Sequence, residues 1–190
     1  RASSAGTVAT TLPNGKTVRT DVDRVRKPIP LASWDLEVED WAPGDSRTET
    51  VRRKKSVQLD ALAPWSEVSG LEDVSGVGRY RTVVDLGRDW AQADGAVLEL
   101  GEVTDTFRVT VNGRAVGPCD VLDTAVDVGP FLRRGRNRIE VEVTTTLINR
   151  LRTVTPDVYA AAERQEYGLL GPARLVPYTE RRVRTRGRGR

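Results

Sequence analysis

In Asp105-Thr-Phe-Arg-Val-Thr-Val-Asn-Gly113 the apolar Phe107, Val109 and Val111 alternate with Arg108, Thr110 and Asn112. That period of two belongs to a strand with one buried and one wet face. Asn112-Gly113 supplies two residues that take positive φ readily, so the strand is predicted to turn back tightly through Arg114-Ala-Val-Gly117. The same alternation recurs on both sides of this hairpin. Tyr80, Thr82, Val84 and Leu86 share a face, as do Ala96, Leu98 and Leu100. Ile139, Val141 and Val143 form the strongest stripe, with Arg138, Glu140 and Glu142 opposite. Short alternating runs separated by turn residues predict an all-β chain folded as an antiparallel β-sandwich.

Composition narrows the chemistry. The chain has 190 residues, one cysteine (Cys119), no histidine and no methionine. A chain of this length buries a core without disulfides, and a single thiol excludes both an internal disulfide and a cysteine zinc cluster. The missing histidines remove the commonest general base, the Ser-His triad and the usual transition-metal ligand. Cys119, beside Asp120, reads as a structural residue. With no initiating methionine the chain reads as part of a longer protein; no run approaches a membrane span and no signal peptide is visible. The net charge of +3 conceals two regions. Six of the 30 basic residues lie after residue 180, which leaves residues 1–180 with 24 basic and 27 acidic groups, a net of −3.

Residues 1–30 are expected to be the end of a preceding domain plus a linker. Leu12-Pro-Asn-Gly-Lys16 signals a hairpin, and Pro28 and Pro30 hold the linker extended. The sandwich is expected over residues 31–178. Trp34, Leu36 and Val38 alternate in its first strand, Arg47 to Lys55 reads as a polar loop, and Val57 and Leu59 begin a short strand. Pro64-Trp-Ser-Glu67 suggests one helical turn or a loop that packs Trp65 on the sandwich edge. Trp34, Trp41, Trp65 and Trp90 read either as sugar-stacking platforms or as packing, and packing is the commoner use. Thr155-Pro-Asp157 is a helix start, with about two turns expected over Val158 to Glu166, the one short helix near the C-terminus. Residues 179–190 read as a disordered Arg/Gly-rich tail.

Four further runs stand in a fixed order: Ser75-Gly-Val-Gly-Arg-Tyr-Arg81, Val109-Thr-Val-Asn-Gly113, Val126-Asp-Val-Gly129 and Arg134-Gly-Arg-Asn-Arg-Ile-Glu-Val-Glu-Val143. Together they resemble the jelly-roll sugar-binding domain of glycoside hydrolase family 2. Thr145-Thr-Leu-Ile-Asn-Arg-Leu151 and Tyr167-Gly-Leu-Leu-Gly-Pro172 bring the chain nearer the galactose-binding-like domain at the C-terminal end of bacterial α-L-rhamnosidase-like glycoside hydrolases. The resemblance implies a galactose-binding-like jelly roll whose catalytic acids lie in an upstream domain. It further implies carbohydrate as the partner of the parent enzyme and a secreted or extracytoplasmic bacterial setting, with the cytoplasm as the alternative. The mildly acidic body and the lack of a span-length apolar run add the expectation of no nucleic-acid and no membrane partner. No cofactor is expected; a structural calcium, which jelly rolls of this type often hold with loop oxygens, is the lesser alternative, because the sequence lacks a regular Asp-x-Asp loop.

The residues leave three functions open: an accessory module of a glycoside hydrolase, an independent carbohydrate-binding module, or a protein-interaction or nucleic-acid-binding piece driven by the basic tail. No catalytic residue is assigned. Glu72, Asp73, Asp120, Asp123 and Asp127 read as solvated or turn-capping acids, because linear spacing sets no pair of carboxyls at the fixed separation that glycoside cleavage needs. Asn149, Arg150 and Tyr167 are the candidate carbohydrate-binding residues. An amide beside a planar guanidinium suits hydroxyl recognition, and both follow an apolar stripe where a strand leaves the sheet. The competing role for Arg150 is a clamp on Glu163 or Glu166.

Overall fold

The computed structural model describes residues 1–46, 48–88, 90 and 94–183. In chain order the strands begin with β1 (Gly6–Thr11), β2 (Thr17–Val22), β3 (Ile29–Pro30), β4 (Trp34–Pro43) and β5 (Thr50–Leu59). Next come β6 (Gly76–Leu86), β7 (Asp94–Glu99), β8 (Glu102–Thr104), β9 (Thr106–Val111) and β10 (Arg114–Ala115). β11 (Ala125–Asp127) and β12 (Gly135–Thr144) precede the helices α1 (Ile148–Val154) and α2 (Pro156–Tyr159). β13 (Gly168–Gly171) and β14 (Arg174–Thr179) follow.

Two antiparallel sheets face each other as an all-β sandwich. One has six strands in the order β10-β9-β12-β6-β4-β5, and the other four in the order β11-β7-β14-β3. The alternation read from the sequence is the inward face. Val109 lies opposite Val141, Val141 opposite Tyr80, and Tyr80 opposite Leu36, one apolar row across four strands. All four side chains are buried. In the second sheet Leu98 and Leu175 pair and are fully buried. The Asn112-Gly113 turn has φ of 52° and 78°, the positive pair that a tight two-residue hairpin requires.

Trp65 is buried in the core rather than resting on the sandwich edge. It opens a 3-10 turn (Trp65–Glu67), its backbone N–H donates to Tyr167 O at 2.9 Å, and its Nε1 donates to Tyr80 Oη at 2.6 Å. Gly78 makes the room: a Cβ there would lie 2.4 Å from the Trp65 ring. Trp34 and Trp90 are also buried, and Trp41 is half-buried.

Three segments differ from expectation. Of the expected loop over Arg47 to Lys55, residues 50–55 lie within β5, the edge strand that starts at Thr50, and Arg47 lies outside the described residues. An edge strand has one neighbour, so charged side chains along it are tolerated and its apolar alternation is weak. The main helix is α1, seven residues long, while the helix expected over 158–166 is a single turn starting at Pro156. It ends at Tyr159, and farther on the backbone of Gln165 is bonded by the side chain of Asn149 instead of by a helix. Ile29 and Pro30, read as linker, pair with Leu175 and Arg174 at the edge of the smaller sheet.

The β1–β2 hairpin forms its own two-stranded sheet and joins the sandwich through paired hydrogen bonds between Ala2 and Thr179. Thr179 thus completes β14 instead of opening a tail, and Glu180 accepts from Arg1. Residues 184–190 of the expected tail lie outside the described residues.

Candidate functional site

Asn149 is buried on α1. Its Nδ2 donates to Gln165 O and its Oδ1 accepts from Gln165 N, both at 2.8 Å, so the amide imitates a neighbouring strand. Tyr167 is also buried. Its hydroxyl bonds Thr146 Oγ1 at 2.6 Å and its ring meets Trp65 edge-on at 6.3 Å. The polar groups of both residues are engaged inside the fold, which leaves neither presented to a sugar.

Arg150 does not pair with Glu163 or Glu166. Its Nη2 donates to Asp40 Oδ1, and its backbone N–H donates to Ser75 Oγ at 3.2 Å. Asp40 continues the inward face of β4 beyond Val38 and is buried, with Lys55 Nζ 3.5 Å from its other oxygen. The guanidinium therefore ties α1 to the end of β4 and neutralises a carboxylate that the core would otherwise exclude. Arg150 Nε is buried without a partner.

The outer face of the six-stranded sheet carries columns of alternating charge. Lys54 of β5 lies 3.4 Å from Glu37 of β4, and Arg52 lies 3.7 Å from Glu39. Across β6 and β12, Arg79 binds Glu142 at 2.9 Å and Arg81 binds Glu140 at 2.6 Å. Trp41 lies in this lattice, its Nε1 donating to Glu39 at 2.9 Å and the Arg52 guanidinium 5.1 Å from its ring centroid. The indole is thereby already stacked.

The loop acids cap turns as expected. Asp120, Asp123 and Asp127 each accept from the backbone N–H two residues on, at 2.9, 3.1 and 3.0 Å. Asp73 binds Arg164 at 2.9 Å. The exposed Glu72 carboxyl lies below the usual carboxylate range because backbone N–H groups at Glu72 and Gly70 hold it, opposite to the shift a general acid needs. Burial pushes the Cys119 thiol upward, away from a reactive thiolate. Among the described residues no three His, Cys, Asp or Glu side chains come together in a way that could hold a metal ion.

One concavity was not foreseen. A groove of about 710 Å³ separates residues 24–27 from the end of β14. Arg24, Arg26, Lys27 and Arg181 line it together with Tyr178 and Thr179. Three cations in Arg24-Val-Arg-Lys27 were a visible signal, obscured by the prolines that mark the stretch as a linker.

No family model matches the chain. A curated Formosa agariphila protein whose name is that of a beta-glucuronidase is 32% identical over 142 residues, 73% of this chain but 11% of that protein. A rhamnosidase structure from Novosphingobium sp. PP1Y superposes with a TM-score of 0.62 at 22% identity, over 90% of this chain and 19% of the enzyme. The chain shares its fold with a β-sandwich portion of glycoside hydrolases. A Faecalibacterium prausnitzii beta-glucuronidase matches at TM-score 0.51 and 15% identity, over 84% of this chain and 32% of its own. An Eisenbergiella tayi GH2 beta-galacturonidase matches at 0.50 and 18%, over 80% and 24%. The β-sandwich described above thus spans a minor part of each protein it matches.

Proposed function

We propose that this chain is a non-catalytic accessory β-sandwich of a bacterial glycoside hydrolase of the α-L-rhamnosidase-like type, supporting cleavage carried out by an upstream catalytic domain of the same protein. The observation that carries this reading is how its acids are occupied. Glu37, Glu39, Glu140 and Glu142 face arginines or lysines across strands, Asp40 faces Arg150, and the loop acids cap turns. Cleavage of a glycosidic bond ordinarily uses one carboxyl raised by an apolar pocket and a second held opposite it. Similarity to a fifth of a rhamnosidase and to between 11% and 32% of uronidases supports the accessory role. The uronidase relatives further support a glycan substrate that carries acidic sugars.

The test is turnover by the purified chain on aryl α-L-rhamnosides, β-glucuronides and β-galactosides. A flat trace is expected. Hydrolysis abolished by changing one Asp or Glu to its amide would overturn the reading.

A further inference from the structure

We propose that the groove between residues 24–27 and β14 binds an acidic stretch of a polysaccharide through its ring carboxylates or sulfate esters; this rests on the accessory role proposed above and names its ligand. Among the described residues no acidic side chain lines the groove, whereas Arg24, Arg26, Lys27 and Arg181 all do. Among the described residues no carboxylate pairs with Arg24, Lys27 or Arg181. Arginines such as Arg79, Arg81 and Arg174 lie against acids, whereas this concave wall gathers four cations. Guanidinium forks match the planar carboxylate and the oxygens of a sulfate, and two-point contacts of this kind are the strong ones.

The wall is held in place. Thr179 Oγ1 donates to Arg24 O at 3.5 Å, which ties the strap to β14, and the Arg26 guanidinium rests 5.3 Å from the Trp90 ring centroid. The strap is anchored at both ends, by the last residue of β2 and by the pairing of Ile29 with Leu175. The volume suits a segment of sugar chain, since ligand sites typically span a few hundred to about a thousand Å³.

A nucleic acid would use the same charges but needs more. Single strands stack bases on open aromatic rings. Here the Tyr178 ring is covered by Arg1 on one side, at 4.5 Å, and rests against Gly95 and Gly129. Trp90 is buried beneath Arg26. A duplex needs a broad positive face, whereas residues 1–180 carry a net charge of −3. An acidic sugar chain needs only the local charges.

The experiment measures binding of the 190-residue chain to polygalacturonate, dextran sulfate, neutral dextran and a DNA oligonucleotide. Two variants accompany it: one with Arg24, Lys27 and Arg181 changed to Gln, and one with Arg184, Arg186, Arg188 and Arg190 changed to Gln. All of the groove changes are at exposed positions, so unchanged melting keeps the comparison clean. Expected is binding to an acidic polysaccharide but not to neutral dextran, weakened about tenfold or more by the groove changes and little by the tail changes. The preferred polymer separates carboxylate from sulfate recognition. The proposal is overturned by no binding to either acidic polymer, by binding lost with the tail changes instead, or by tighter binding to DNA. Because turnover is not read, failure here leaves the accessory role standing, and hydrolysis by the chain would leave the groove's ligand unaffected.

Discussion

Asn112 Nδ2 donates to Asn137 Oδ1 at 2.9 Å, so the asparagine of the Val-Asn-Gly turn and that of the Gly-Arg-Asn run, 25 residues apart, form one joint. Asn137 is fully buried and its amide is saturated. The oxygen also accepts from Arg133 N, and Nδ2 donates to Arg133 O and Gly135 O. Two turns at one end of the large sheet thus share a single side chain.

Replacing that amide should therefore be costly. Asn137→Ala removes four hydrogen bonds and leaves buried partners without a replacement, so a loss of about 2–4 kcal/mol is expected by urea denaturation. A loss under about 0.5 kcal/mol would mean that water or neighbours substitute for the amide.

Arg150→Ala should destabilise the fold by about 2 kcal/mol, less than for a fully enclosed ion pair because Lys55 remains beside Asp40. In a double-mutant cycle with Asp40→Asn the two changes should be clearly non-additive. Additive effects, or lost glycan turnover by the parent enzyme at unchanged stability, would return Arg150 to the list of binding residues.

Alkaline pH should weaken the protein in a defined window. Burial pushes the Tyr80 hydroxyl up to about 12, against the opposing hydrogen bonds from Leu169 N and Trp65 Nε1, and burial with the Asp127 hydrogen bond does the same to Tyr178. Below pH 10 both states keep these protons; between about 10 and 12 the unfolded chain loses them first, so stability falls as pH rises. Urea midpoints measured across this range should decline, and less steeply for Tyr80→Phe. At neutral pH that variant should itself lose about 2 kcal/mol, having orphaned the Trp65 and Leu169 donors. Parallel declines in both proteins would show that Tyr80 is not the group responsible.

What could be read in advance was whatever alternates. Val109, Val141, Tyr80 and Leu36 lie in strands with neighbours on both sides, where burial enforces a period of two. β5 escaped because an edge strand with Arg52 and Lys54 on one face shows no such period. α1 escaped because Ile148, Leu151 and Val154 give a weak helical stripe directly after a strong strand. The fate of Asn149 and Arg150 was illegible for another reason. Their roles depend on Gln165, 16 residues on, and Asp40, 110 residues back, and no local pattern records such distances. The same holds for the groove, where residues 24–27 meet Arg181 through folding alone.

The charged columns on the six-stranded sheet have an electrical consequence. Adjacent strands are about 4.8 Å apart, and along the row Lys54, Glu37, Arg79 and Glu142 the sign of the outward charge reverses from β5 to β4, to β6 and to β12. That reversal is finer than the screening length of about 8 Å at physiological salt. Opposing contributions therefore cancel a short way above the plane, and these paired rows present little field to a distant partner. Anything that docks there must find it by shape at contact, at a rate nearly indifferent to ionic strength.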